Sequence, residues 1–482
     1  MSITSSINNA ISGLTASARM AEVVSSNLSN ALTDGYGRRV VDLSAANIGG
    51  KGAGVIVDGV RRIVDPGVLS DRRLADAALN GQQQTVSNLQ RLETTIGLPG
   101  DPAGLAGRLN AFEGALIDAS ADPSSPILLT TAITRLGEVN NVLSSATRTV
   151  QTMRQDADAA IARDVATLNN SLAQVAQINA DISRALGTGG DTTALQDARQ
   201  RAVDQISGIV PLREIQRENG AIALMTTSGT QLIDGKPAVF EFTPTPTIVA
   251  DMTFDSGALN GLFVNGQPAS ATSAVGRLTG GTLGAAFELR DVTLVAAQDG
   301  LDTVAVDLIG RFSDPAVDPS LAPGSPGLLT DNGAAYDPLD RVGLAGRISV
   351  NASVDPNLGG DITLLRDGIG AAVPGPVGDT SQINRWLGAF DLPIATGPGE
   401  PTRTANGQVS YLNSSFGTQR VQAEDELSFA GARWDTLRSA ELSDGVDSDQ
   451  ELQKLILIEQ SYAANAKLIE TIESMIRTLM EI

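Results

Sequence analysis

The last stretch of this 482-residue chain carries an apolar repeat that only a helix with a partner can satisfy. Leu455, Tyr462, Ile469 and Ile476 recur every seven residues, interleaved with Ile458, Asn465, Ile472 and Leu479, and the seam runs on to Met480 and Ile482. Chain ends ordinarily fray, so an end with this periodicity has to be buried against something. The N-terminal stretch offers a matching stripe: Ile7, Leu14, Ala21 and Leu28 form one seven-residue row, and Ile3, Ala10, Ser17, Val24 and Ala31 form another. The two ends are therefore expected to pair as a coiled coil, with each other and with further copies of the chain.

An intramolecular helical hairpin in an ordinary core is the simpler reading of such heptads. Three details favour assembly. The N-terminal stripe is built from small residues, and it includes Gly13, which costs about 1 kcal/mol of helix propensity relative to alanine. Asn465 occupies a core position, where a polar residue lowers stability and fixes register or partner number. These features suit a helix that is disordered in the monomer and folds on assembly.

Composition narrows the function. The chain is long enough for several domains, and 42% hydrophobic residues allow real cores. No run approaches the roughly 18 apolar residues of a membrane span. Residues 1–18 carry no positive charge and no compact apolar block, so no cleavable secretory signal is expected. A net charge of -21 repels phosphate and makes nucleic acid a poor partner. Zero Cys and zero His remove thiolate and imidazole chemistry, His-based triads and ordinary zinc sites. The absence of Cys also fits a chain exported unfolded. Aromatics at 3% leave few anchors for a small-molecule pocket, and no cofactor is expected.

The layout is helical outside and strand-rich inside. After the first helix come an irregular stretch, Leu32 to Gly54, and a strand-like run, Val55 to Val60. Leu69 to Ile96 has helical spacing with thin apolar content, and Leu105 to Ser120 is a second helix, ended by Asp122-Pro123-Ser124-Ser125-Pro126. Ile127 to Leu186 is nearly free of Gly and Pro and reads as one long or once-broken helix; roughly sixty residues would span on the order of 90 Å. Thr193 to Ile209 returns as another helix. From Pro211 the alternating segments Ala221 to Met225, Val239 to Phe242 and Leu262 to Val264 alternate with turns at Asp234-Gly235 and Asn265-Gly266. A helix at Gly284 to Phe312, a Pro/Asp/Gly/Ser stretch and strands at Gly346 to Val350 and Ile362 to Leu365 follow. Val409 to Leu442 is helical, and Ser448 with Glu451 reads as a capping box for the last helix.

The fold class is thus mainly α with a β-rich insert. Residues 1–62 and 443–482 form a terminal coiled-coil domain. Residues 63–210 and 398–442, with helix 284–312, form a helical rod domain. Residues 211–283 and 313–397 form an inserted α+β or β outer domain.

Several motifs read better as structure than as chemistry. Gly49 to Gly54 lacks the Ser or Thr and the following helix of a phosphate loop, and reads as a flexible turn. Asp314, Asp318, Asp331, Asp337 and Asp340 lack EF-hand spacing and read as a solvated acidic loop. Arg38-Arg39 and Arg61-Arg62 are either exposed surface charge or partners for carboxylates on a neighbouring subunit. No convergent Asp/Glu pair supports a hydrolase in the insert. No catalytic, cofactor-binding or metal-ligating residue is assigned.

Ser26-Asn27-Leu28-Ser29-Asn30-Ala31-Leu32-Thr33-Asp34-Gly35-Tyr36-Gly37-Arg38 resembles the "SNNIANxxTxGYSR" signature that flagellar rod, hook and hook-associated proteins carry after their first helix. Gly52 to Val57, with Arg62 and Asp65, resembles the "GxGVxVxxIxRxxD" segment of the hook-associated protein 1 family. Glu459 to Lys467 resembles that family's "Q-x-A/S-Y-x-A-N-A-K" helix. Ala160 to Gln200 is similar to its helical domain, and Phe287 to Asp291 to its "LLELRD" element. Asp34 stands where Pro is frequent, Gly37 stands where Ser is, and the insert is short.

The resemblance implies a secreted structural protein at the junction of flagellar hook and filament, exported through the flagellar type III channel. It implies a homo-oligomeric ring, with hook protein on one side and the third hook-associated protein on the other. A cytoplasmic export chaperone would cover the C-terminal helix. The residues expected to carry assembly are Ile7, Leu14, Ala21, Val24, Leu28, Asn30, Gly35, Tyr36 and Arg38 at one end. At the other they are Leu455, Ile458, Tyr462, Asn465, Ile469, Ile472, Ile476 and Leu479. The alternatives are another axial component (hook, rod or third hook-associated protein) and a secreted coiled-coil adhesin, the latter favoured by termini that are ordered alone.

Overall fold

A computed structural model describes residues 3–48, 51–98, 100–269, 278–397 and 399–481. Helix α1 (Ile3–Ser29) leads into a long antiparallel hairpin, β1 (Arg38–Ile48) and β2 (Lys51–Ile63). The stretch from Leu32 to Gly54 is therefore largely strand, not irregular. Its period-two signal is masked because bulges after Asp42 and Ala45 shift the register. Gly49 and Gly50 lie outside the described residues, while Lys51 to Gly54 belong to β2.

The helices that follow start where the chain supplies caps. Asp65 accepts from the amides of Gly67 and Val68 to open α2 (Pro66–Ile96). After α3 (Leu105–Ala121), Ser125 and Pro126 open α4 (Pro126–Gly187), an unbroken helix of 62 residues, about 90 Å long. α5 (Thr193–Ile209) returns against it. A small sheet follows, of β3 (Leu212–Gln216), β4 (Ile222–Thr226), β5 (Gln231–Asp234) and β6 (Lys236–Pro237) in that order. A second has β7 (Phe240–Glu241), β8 (Leu262–Val264) and β9 (Gln267–Ala269). Asn265 and Gly266, at φ 52° and 73°, make the two-residue turn of the β8–β9 hairpin.

α6 (Gly281–Glu288) runs through a π-helical segment, Leu289–Thr293, into α7 (Leu294–Ser313). Residues 314–397 hold little strand, only β10 (Leu329–Asp331) paired with β11 (Ile348–Val350). They also hold the short helices α8 (Leu344–Arg347) and α9 (Leu364–Asp367), and α10 (Ser381–Asp391). The strand expected at Ile362 to Leu365 is instead a turn and the start of α9. Asp361 accepts from the backbone amide and hydroxyl of Thr363 and so diverts the chain into a turn. Nor is the acidic stretch simply solvated: Asp318 is fully buried and accepts from the amides of Ser320 and Ile369, and Asp331 pairs with Arg347 at 2.8 Å. α11 (Ala405–Ser443) and α12 (Ser448–Met480) complete the chain. No described helix is long and apolar enough to cross a membrane.

Two cores lie along α4. Its first half packs with α3, α7, the start of α11 and the apolar residues of 314–397, around an aromatic group of Phe112, Phe312, Trp386 and Phe390 with centroids 5.6 to 5.9 Å apart. Its second half packs with α5, α6 and the four-stranded sheet. Fully buried arginines tie irregular backbone to these helices. Arg290 pairs with Asp158 at 2.6 Å, Arg154 donates to the Val249 and Arg290 carbonyls, and Arg311 donates to those of Ala389, Leu392 and Arg403. α2 and α11 run antiparallel beside this body, crosslinked by Glu93–Arg420 at 2.6 Å and Gln82–Glu426 at 2.7 Å.

Candidate assembly interface

α1 and α12 pack against each other in antiparallel sense. Gly13 lies against Asn465, and Asn27 reaches Glu451 at 2.9 Å. A Cβ on residue 13 would sit 2.7 Å from the Asn465 Nδ2, which donates to the Ser461 carbonyl at 3.0 Å. The glycine that weakens α1 is thus the place where the polar residue of α12 fits.

The buried row of α1 is Ala10, Ser17 and Val24; Ile7, Leu14 and Ala21 are half-buried beside it, and Leu28 is exposed. On α12 only Glu451, Ile458 and Ile472 of 33 residues are buried. Leu455, Asn465, Ile469 and Ile476 are half-buried. Leu28, Tyr462 and Leu479, expected in the seam, face outward. With 3.6 residues per turn a straight helix drifts off a seven-residue row, and these positions fall at the row's edge.

At the far end of the pair sits a polar hub. Asn27, with no exposed surface, uses every donor and acceptor of its amide. It donates to the Arg39 carbonyl and to Glu451, and accepts from the Arg39 amide and the Tyr36 hydroxyl, each at 2.9 Å. Burial raises the Tyr36 pKa, against a lowering from its bond to Ser26, so the hydroxyl stays a donor. Lys454 closes the other Glu451 oxygen at 2.7 Å. Glu451 therefore does not complete a capping box; Asp447 caps α12 by accepting from the amides of Asp449 and Gln450.

The signature turn connects this hub to α5. Gly35 has φ +74°, and a Cβ there would meet the Arg201 side chain at 2.7 Å. Asn30 donates back to the Ser26 carbonyl, which ends α1. Asp197 on α5, 4% exposed, collects Arg39 at 2.8 Å, Arg62 at 2.6 Å and the Gly37 amide at 3.1 Å. Burial pushes the Arg62 pKa down, with Asp197 opposing. Arg39 also lies 4.9 Å over the Tyr36 ring. These arginines meet carboxylates of their own chain because the hairpin lays them on α5; Arg61 likewise pairs with Asp42 at 3.1 Å. Arg38, opposite Ile63, has a buried Nε with no hydrogen-bond partner among the described residues. Asn27, Arg39, Arg62, Asp197 and Glu451 were not singled out as site residues in the sequence. Asn27, Arg39, Arg62 and Asp197 sit inside or beside the quoted motifs, the one signal that could have found them.

Outward, α12 carries a second apolar row at steps of seven and four residues: Leu457, Ala464, Leu468, Met475 and Leu479. All but the alanine are more than half exposed as large apolar side chains. A cavity of about 280 Å³ adjoins this row, lined by Met20, Val23, Val24, Val41, Leu457 and Ile458 among others. Among the described residues no group of His, Cys, Asp or Glu could hold a metal ion.

Residues 89–315 match the model of the flagellar hook-associated protein FlgK helical domain. Residues 443–482 match that of the flagellar basal body rod FlgEFG protein C-terminal region. Flagellar hook-associated protein 1 of Salmonella typhimurium is 27% identical over 243 residues, 49% of this chain and 44% of the relative. The chain thus aligns with less than half the length of that relative. The protein of the same name from Bacillus subtilis is 20% identical over 92% of this chain and 91% of its own. The structure of the flagellar hook junction protein FlgK from Burkholderia pseudomallei superposes with a TM-score of 0.45 at 20% identity, covering 55% of this chain and 46% of that one. The helical-domain and C-terminal matches, with these relatives, support the identification of the chain as similar to flagellar hook-associated protein 1.

Proposed function

We propose that this chain is an extracellular structural subunit at the hook–filament junction of the bacterial flagellum, needed for flagellum assembly and motility. It is exported by the flagellar type III route and assembles into a homo-oligomeric ring through its terminal helices. Hook protein lies on one side and the third hook-associated protein on the other. Before export a cytoplasmic chaperone covers the C-terminal helix. Residues 1–62 and 443–482 form the inner tube, residues 63–210 and 398–442 with helix 284–312 the surrounding layer, and the remainder the outside. The function is mechanical rather than catalytic.

The observation that carries this reading is α12: one face packs on α1, and a second heptad row is left open to solvent. A helix that buries three of its 33 residues gains too little apolar area to offset the ordering of its backbone, so further copies must cover it. On this reading Ile458, Asn465 and Ile472, with Val24, fix the intrachain register. Tyr462, Leu479 and Leu28, with the open row, meet neighbours. The test is deletion of the gene followed by electron microscopy of the cell surface. Hooks without filaments, with filament subunits shed into the medium, are expected; normal filaments refute the reading. Loss of the hooks as well points instead to a hook or rod component.

A further inference from the structure

A polar cavity of about 240 Å³ opens behind the hub, where the end of β2, the start of α2, α5 and the four-stranded sheet meet. Three arginines line it, Arg62, Arg73 and Arg199, and Glu214 is the one carboxylate among the described residues of its wall. Glu214 is already held by Arg73 at 2.7 Å. Arg199 is 9% exposed and donates to neutral oxygens, the Asn179 side chain at 3.0 Å and the Gly220 carbonyl at 2.6 Å. Among the described residues it has no ion-pair partner within 4.0 Å. Burial lowers its pKa, Glu214 opposes this, and Arg62 and Arg73 add to the lowering. Arg62 is likewise pushed down by burial despite Asp197.

Arg62 is paired with Asp197 at 2.6 Å and Arg73 with Asp204 as well as Glu214, each at 2.7 Å, so Arg199 is the guanidinium of this wall left without a carboxylate among the described residues, facing the cavity beside Arg62. The space is roomy enough for an ion with several oxygens. Guanidinium forks suit such oxygens through paired N–H donors.

We propose that this cavity binds a compact multivalent oxyanion, of the phosphate or polycarboxylate class, between Arg62 and Arg199. The anion ties the hairpin to α5 and the sheet. Independent of the ring reading, it can be tested on the lone chain. The full chain is titrated with inorganic phosphate and, separately, with citrate, against sodium chloride at matched ionic strength. Saturable binding of one ion per chain is expected, and the tighter of the two arms names the class. Arg199→Gln should weaken it about tenfold or more. Because that change also removes bonds to Asn179 and Gly220, Val64→Glu provides a second variant. It places a carboxylate at the rim and should abolish binding while the circular dichroism is unchanged. Heats no larger than those of matched chloride overturn the proposal. So does binding that survives either variant in a folded chain, and so does saturation that requires a second copy.

Discussion

Replacing Gly13 by alanine sets two local effects against each other. In an isolated helix the change is favourable by about 1 kcal/mol, because alanine surrenders less backbone entropy. In this chain the new Cβ would stand 2.7 Å from the Asn465 amide nitrogen, so Asn465 must swing away or the helices must part. Swinging away forfeits the bond to Ser461, worth about 1 kcal/mol net; parting loses packing between α1 and α12 as well. Gly13→Ala is therefore expected to leave α1 no more protected in the whole chain, although it raises the helicity of an excised α1 peptide. Asn465→Ala removes the obstacle, and the double variant should recover the propensity gain. Amide exchange across residues 3–29 of the full chain reads the cycle. A coupling of about 1 kcal/mol, near fivefold in protection, is expected. Additivity to within about 0.3 kcal/mol would refute the idea that Gly13 is there to receive Asn465.

Asn27→Asp places a second carboxylate beside Glu451 and removes the donor to the Arg39 carbonyl. The terminal pair should lose about 3 kcal/mol at pH 7 and regain part of it on acidification, when the two carboxyls share a proton; exchange measured at both pH values decides this. Asp197→Asn strips the counter-charge from Arg39 and Arg62, and should cost about 3 kcal/mol and open the β1–β2 hairpin to limited proteolysis; an unchanged cleavage pattern would contradict the role given to that carboxylate. Burial raises the Asp164 pKa against the bond from Thr282 at 2.7 Å. The folded chain thus holds that proton more tightly than the unfolded one, so ionisation opposes folding above the folded pKa. Asp164→Asn should melt at a higher temperature than the parent at neutral pH, with the gap closing toward about pH 4.

The helices were legible where the chain is long, periodic and free of Gly and Pro, as in α4 and α5, whose bounds follow directly from Ser125-Pro126 and from the Gly189-Gly190 turn. β1 was not, because Arg38, Arg39, Asp42 and Ser44 resemble a polar loop; it is a strand because β2 pairs with it and α1 packs beneath. Between α7 and α10 the apolar residues lie mostly on turns too short to show a period, and Val317, Leu321 and Leu328 enter the helical core singly. α10 did carry a readable pattern in Ile383, Trp386 and Phe390. At the interface the heptads revealed that the ends pair. They could not reveal the hub, since Asn27, Asp197 and Glu451 are polar, distant in sequence and meaningful only once Asn27 is buried. Asp447 rather than Ser448 caps α12 for a related reason: an acceptor one residue earlier had two amides within reach.

On the proposed function, α1 and α12 complete each other only in part and need further copies. Amide exchange on the full chain at micromolar concentration, before and after assembly, addresses it directly. In the lone subunit, residues 3–29 and 448–480 should exchange at least about a hundredfold faster than the buried core of α4, and slow markedly once copies associate. Protection of both terminal helices equal to that of α4 in the dilute monomer would contradict it.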